Sequence, residues 1–299
     1  MTRTIDPEQM RVLARLRHLG RTRYPGLPAG SMLLLYAQQG LLARLDASAY
    51  SEQFVLKGAM SLFARYDQAA RPTEDLDLAA WGLPNTPDGI GAVLREIAAF
   101  PYGDGLMFDA AVRVSPINGA LRYPGVSARL TARLGSSRAD LQIDVSFGNA
   151  ITPAPVVWTF PPLLLDHGVP VSLYPLETVL AEKFAALVEI GEATTRMKDL
   201  YDLHVILSRE SFSAVTVTQA LRRSFEARGT QQEAALVVLA QPFAQSETLA
   251  LRWQQYLNRT RFSAPPFAVV IGQLWVFFEP VLTEPQEAVW NPTDQQWKV

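Results

Sequence analysis

Residues 126–147 read VSARLTARLGSSRADLQIDVSF. In the first part Val126, Ala128, Leu130, Ala132 and Leu134 alternate with Ser127, Arg129, Thr131 and Arg133. In the second, Leu141, Ile143, Val145 and Phe147 alternate with Asp140, Gln142, Asp144 and Ser146. Successive side chains of an extended chain point to opposite faces, so each segment predicts a half-buried strand with one apolar and one polar side. Working outward, 107–114 has the same strand character and Asp75-Leu76-Asp77-Leu78 repeats the alternation over a shorter length. Together these runs predict a small mixed or antiparallel sheet whose solvent side carries acids.

Helical periodicity flanks the sheet. Asp6 before Pro7 reads as an N-cap with proline in the first turn, opening a helix over 7–19, and a second helix runs from Ser31 through LLLYAQQGLLARL to Asp46. A further helix is expected over 87–100, and Arg71-Pro72 reads as a turn. The proline-rich stretch 151–175 is the best boundary, and beyond it the spacing predicts helices near 176–190, 196–209, 217–228, 231–241, 246–260 and 265–282. The fold class is therefore α+β in front and helical behind. Its parts are N-terminal helices over 1–50, a sheet domain over 51–160 and a helical domain over 161–299.

Composition narrows the chemistry. The chain has 299 residues, a net charge of −2 and no cysteine, which removes disulfides, thiolate nucleophiles and Cys-ligated metals. With only three histidines, at 18, 167 and 204, any metal is expected to be held by oxygen. The start MTRTIDPEQM has no apolar signal region, and the most apolar stretch, 267–282, is shorter than the ~20 residues a bilayer span needs and contains Gln273 and Glu279. A cytoplasmic protein without a membrane segment is expected. Lysine is scarce: four residues, at 57, 183, 198 and 298, against 23 arginines, since the two types total 27.

Several residues stand out on physical grounds. Asp75 and Asp77, two apart on a strand, project from one face close enough to share one or two divalent cations, although a solvated pair of acids has the same pattern. Asp144, on the polar side of another strand, is a candidate third oxygen ligand for Mg²⁺ or Mn²⁺. Lys57-Gly58-Ala59 places a cation and a glycine turn just ahead of the acids, where backbone N–H groups can approach a phosphate. Lys183 falls inside the apolar stripe of Leu176, Val179, Leu180, Phe184, Leu187 and Ile190, so its ammonium must snorkel, pair with an acid or meet a bound anion. Methionine suits that stripe, so Lys183→Met is expected to weaken NTP binding while preserving or raising the melting temperature. In RMKDLYDLHVIL, Asp199 lies on the shoulder of the next apolar stripe and can orient Lys183 or Arg196, whereas Asp202 is expected to face solvent as a structural residue. Five arginines and no acid lie between Ala110 and Ala139, a stripe suited to a polyanion or to simple solvation.

Two of these segments carry a resemblance. YSEQFVLKGAMSLFARYDQAARPTEDLDLAAWG, from Tyr50, resembles the nucleotidyltransferase core of the AbiEii/AbiGii-type toxin family, within the polymerase-beta-like superfamily. LETVLAEKFAALVEIGEATTRMKDLYDL, from Leu176, resembles that family's downstream lysine and R-x-K-D-x-x-D motif. The resemblance implies a polymerase-beta-like core and a phosphate-binding turn at Lys57, Gly58 and Ser61. It implies metal ligation by Asp75 and Asp77 with Asp144 as third carboxylate, and a nucleotide site served by Lys183, Asp199 and Arg196. Ala59 and Glu74 depart from the expected pattern, where a second glycine or serine and a basic residue are usual. The implied activity is transfer of a nucleoside monophosphate from an NTP to an acceptor hydroxyl with Mg²⁺ or Mn²⁺. The acceptor would be a tRNA 3′ end or other RNA, and the setting a bacterial toxin–antitoxin or phage-defence pair with a cognate antitoxin. The alternatives are a non-catalytic nucleotide- or protein-binding module and an enzyme that modifies protein.

Overall fold

The computed structural model describes residues 7–25, 27, 30–67, 70–71, 73–117, 125–283 and 287–299. Asp6, Pro72 and Arg122, which the sequence singles out, lie outside them. Two compact units divide the chain: Met1–Asn149 with Pro155–Tyr174, and Ala150–Ala154 with Pro175–Val299.

The first unit is built on one mixed sheet. Its elements are α1 (Pro7–Thr22), α2 (Ser31–Asp46), β1 (Phe54–Lys57), α3 (Gly58–Tyr66), β2 (Asp75–Ala80), α4 (Pro87–Ala99), β3 (Met107–Phe108), β4 (Arg113–Ile117), β5 (Gly125–Leu134), β6 (Ser137–Phe147), β7 (Val156–Phe160) and β8 (Val169–Leu173). The strand order is β3-β5-β6-β2-β1-β8-β7, with β4 also on β5. β2–β6 and β1–β8 are parallel and the other pairings antiparallel. The alternation in β5 and β6 divides the faces as expected: Val126, Ala128, Leu130, Leu141, Ile143 and Val145 are buried, and the side chains between them form a polar face. The buried face packs with residues of α2, α3 and α4 in one core.

The chain passes between the two units at the ends of the stretch 151–175 and near Pro155, but the stretch is not a plain linker and the sheet does not stop at 160. Its prolines flank or edge two strands, β7 and β8, so the sheet continues to Leu173. Pro170 sits in β8 opposite Thr159 without ending the strand, as proline can where its missing N–H is not needed by a ladder bond.

Helix α2 shows how interior polar groups fix the sheet. Arg44 and Asp104, 4% and 1% exposed at their side chains, form a two-bond fork of 2.6 and 2.9 Å. The Tyr36 hydroxyl donates to the Asp104 carbonyl. Gly40 is required here, because a Cβ would lie 2.5 Å from Leu106 and 2.8 Å from Asp104. Gln38 donates to the Glu74 carbonyl and Gln39 to the Pro161 carbonyl, so neither buried amide is idle and the chain just before Asp75 is pinned.

The second unit contains α5 (Leu176–Ile190), α6 (Met197–Leu207), α7 (Ala214–Arg228), α8 (Gln232–Leu239), α9 (Gln241–Ala244), α10 (Glu247–Thr260), α11 (Phe267–Thr283) and a hairpin of β9 (Val289–Asn291) and β10 (Gln296–Lys298). The core is aromatic: Phe184 stacks on Phe278 at 3.9 Å, and Phe277 meets Trp290 edge to face at 5.0 Å. The hairpin corrects the all-helical expectation. Asn291 turns the chain by accepting from the N–H groups of Thr293 and Asp294, and buried Trp290 donates to the Leu207 carbonyl. No helix among the described residues is long and apolar enough to cross a membrane.

Candidate active site

Strand β1 ends at Lys57 and the chain enters α3 directly at Gly58. Gly58 has φ +64, which L residues rarely adopt, and a Cβ there would lie 2.1 Å from Asp77 Oδ2. Glycine alone lets the backbone lie against that carboxylate. Lys57 provides no side-chain cap for α3, so the positive end of the helix dipole stands beside the acids. Ser61 does not reach this corner: its hydroxyl is fully buried and donates 2.8 Å to the Gly58 carbonyl, bracing the turn from within. Its expected contact with a nucleotide is thereby corrected.

The register gathers the other predicted residues into rows across the polar face. Lys57 pairs with Asp77, Asp77 with Asp144, and Asp144 with Ser127. One step along, Asp75 pairs with Gln142 and Gln142 with Arg129. Asp77 and Asp144 are thus like charges side by side on neighbouring strands, ~4.8 Å apart at the backbone. Asp144 accepts from Ser127 at 2.7 Å and Gln142 at 3.4 Å, both uncharged groups that orient the carboxylate without balancing its charge. Lys57 shares the row, its ammonium 6.0 Å from the centre of the Tyr174 ring.

Among the described residues no cluster of three or more acidic or histidine side chains is close enough to hold a metal alone. The donor set still fits a hard divalent ion. Mg²⁺ is commonly bound through one or two carboxylates, with water and substrate phosphates completing its shell, and Asp75 and Asp77 share one face. Asp144 retains acceptor capacity beyond its two hydrogen bonds.

The helical unit resolves the anomaly of Lys183. Its ammonium bonds Asp199 at 2.8 Å and Asp202 at 2.7 Å, and the second Asp199 oxygen takes the guanidinium of Arg196. Burial pushes the Asp199 carboxyl up, but the charges and hydrogen bonds of Lys183 and Arg196 outweigh it and hold it well below the usual carboxylate range. Two expectations are corrected. Asp202 is 2% exposed rather than facing solvent, because α6 is packed on several sides and its polar shoulder is interior. Lys183 already has two carboxylate partners, so it is not an ammonium waiting for a phosphate, and methionine would strand the acids it serves. Arg196 is the more open cation of the group, with a side chain 45% exposed.

The sequence reading missed Gln38 behind the acid pair and Ser127 and Gln142 around Asp144. Two adjacent glutamines inside the apolar run LLLYAQQGLLARL were a visible signal for the first. The others needed the strand register.

The first unit is thus a mixed α/β domain whose sheet carries acids on its polar face beside a glycine turn that opens a helix, and the chain continues into a largely helical unit. A family model described as nucleotidyl transferase AbiEii toxin, type IV TA system, matches residues 40–280, and the chain belongs to this family. Among solved structures it is similar to JHP933 of Helicobacter pylori, at 14% identity and a TM-score of 0.48, covering 86% of this chain and 94% of that one. It is similar also to a protein of the same organism described as a candidate nucleotidyltransferase, at 14% identity and a TM-score of 0.47, covering 86% and 97%. A search among curated proteins gives no significant match.

Proposed function

We propose that this toxin transfers a nucleoside monophosphate from an NTP to a hydroxyl at the 3′ end of an RNA, with tRNA the favoured acceptor. It would act in the cytoplasm as the enzymatic half of a bacterial toxin–antitoxin or phage-defence pair held in check by a cognate antitoxin. The observation that carries the reading is the row of Asp77 and Asp144 beside Asp75, set against the Gly58 turn.

Asp75 and Asp77 would hold a divalent cation, Mg²⁺ or Mn²⁺. Bound there, the ion supplies Lewis-acid polarisation of the α-phosphate and charge neutralisation of the departing pyrophosphate. Gly58 lets the triphosphate approach the start of α3, where the helix dipole favours negative charge, and Lys57 adds a cation to the same row. Asp144, oriented by Ser127 and Gln142, would accept the proton of the attacking hydroxyl as the new oxygen–phosphorus bond forms and the bond to pyrophosphate breaks. Arg196 keeps an open guanidinium suited to an anion, while Lys183 and Asp199 serve by holding α5 and α6 in register.

The test is incubation of the full chain with each α-labelled NTP, Mg²⁺ and total bacterial RNA. Label entering RNA at its 3′ end is expected. Label entering only protein, or no labelled product with any NTP, overturns the reading.

A further inference from the structure

We propose that the outer face of β4 and β5 is the track along which the RNA acceptor strand lies, with Arg113 and Arg129 gripping its phosphates. The inference rests on the nucleotidyltransferase reading above and specifies how its second substrate is held.

Strands β4 and β5 pair so that Arg113 faces Arg129 directly. Like charges opposite one another on paired strands are destabilising. Both side chains are exposed, and among the described residues neither has an ion-pair partner. The neighbouring strand pair supplies an internal contrast. Arg133 faces Arg138 between β5 and β6, but there the repulsion is answered: Asp109 takes the Arg133 guanidinium in a fork of 2.6 and 2.8 Å. Asp140, on the same face, is engaged by Thr131. The sheet therefore neutralises one opposed arginine pair and leaves the other open.

The open pair is in line with the acids. The row runs Asp75, Gln142, Arg129, Arg113 across β2, β6, β5 and β4. At ~4.8 Å per strand, Arg129 is roughly 10 Å and Arg113 roughly 14 Å from Asp75. That is beyond direct contact with phosphates held at the acids, yet within reach of the phosphates that precede a 3′ hydroxyl placed there. Guanidinium forks match phosphate geometry, and exposed Ser115, in the adjacent row, adds a hydroxyl donor. Neither β4 nor β5 contains an aromatic residue on which a base could stack, so the grip is on the backbone and independent of sequence.

The experiment compares wild type with the Arg113→Gln/Arg129→Gln double variant, using fluorescence anisotropy of a labelled tRNA across a salt series and transfer kinetics with the same RNA. The double variant should lose at least about tenfold in RNA affinity, flatten the salt dependence by about two charges, and raise KM for RNA correspondingly. Its NTP affinity measured without RNA should be unchanged, and its melting temperature equal or higher because the repulsion is gone. Arg133→Gln should move the salt slope much less. Unchanged RNA affinity and slope in the double variant would overturn the track, as would wild-type transfer confined to protein acceptors. Because anisotropy needs no turnover, it judges the arginine pair even if no NTP is transferred, which separates failure of the track from failure of the activity.

Discussion

The sheet face around Asp77 and the helix pair around Lys183 both concentrate charge, and they treat it in opposite ways. In the helical unit two aspartates, a lysine and an arginine form a closed set in which every carboxylate meets a cation. On the sheet Asp77 and Asp144 are set side by side, and the partners of Asp144 are neutral. The first arrangement holds two helices together. The second sets two carboxylates on neighbouring strands, the arrangement on which the proposed cation site rests.

The largest effect that can break this contrast is on activity. Asp75→Ala should lower nucleotide transfer by at least about 10³-fold, the several kcal/mol that a bound cation contributes, while leaving the melting temperature near that of wild type. Transfer of α-labelled NTP and a thermal melt check both halves. A collapse of the fold would instead make the acid pair structural.

Next comes the helical cluster. Lys183→Met leaves Asp202 buried without the ammonium that the structure shows beside it and should destabilise by about 3–5 kcal/mol in urea unfolding. A stable variant would mean that the closed set contributes little.

The same cluster sets a pH dependence. Asp199 has a folded pKa below its unfolded value of ~3.9, so its contribution is fully present above that value and fades as pH falls through the folded pKa. The stability gap between wild type and Asp199→Asn should be widest near neutral pH and narrow below about pH 4. A gap that widens in acid would reverse the assignment.

The smallest effect sharpens the sheet side. Asp144→Asn removes a like charge beside Asp77 yet keeps an oxygen for Ser127, so its melting temperature should equal or slightly exceed that of wild type while transfer falls. A clear drop in melting temperature would show that the carboxylate was already balanced.

How much of this could be read from the chain depends on the range of the interaction. Period-two alternation over 126–147 is local, and it correctly separated the buried from the polar side of β5 and β6. Lys183 could be recognised as misplaced in its stripe from helical spacing alone. Its second partner, Asp202, could not, because the depth of α6 depends on helices distant in sequence. The adjacency of Asp77 and Asp144 needed a parallel pairing across an intervening helix and hairpin, which no local pattern encodes. The hairpin around Trp290 had a local signal, the Asn-Pro turn between two tryptophans, that the helical periodicity before it obscured.

The most direct test of the acidic sheet face is Mn²⁺ binding, followed by electron paramagnetic resonance, with a non-hydrolysable NTP analogue present. Wild type should bind the ion and the Asp75→Asn/Asp77→Asn variant should lose it, with both folded by circular dichroism. Equal Mn²⁺ affinity in the two proteins would contradict the account.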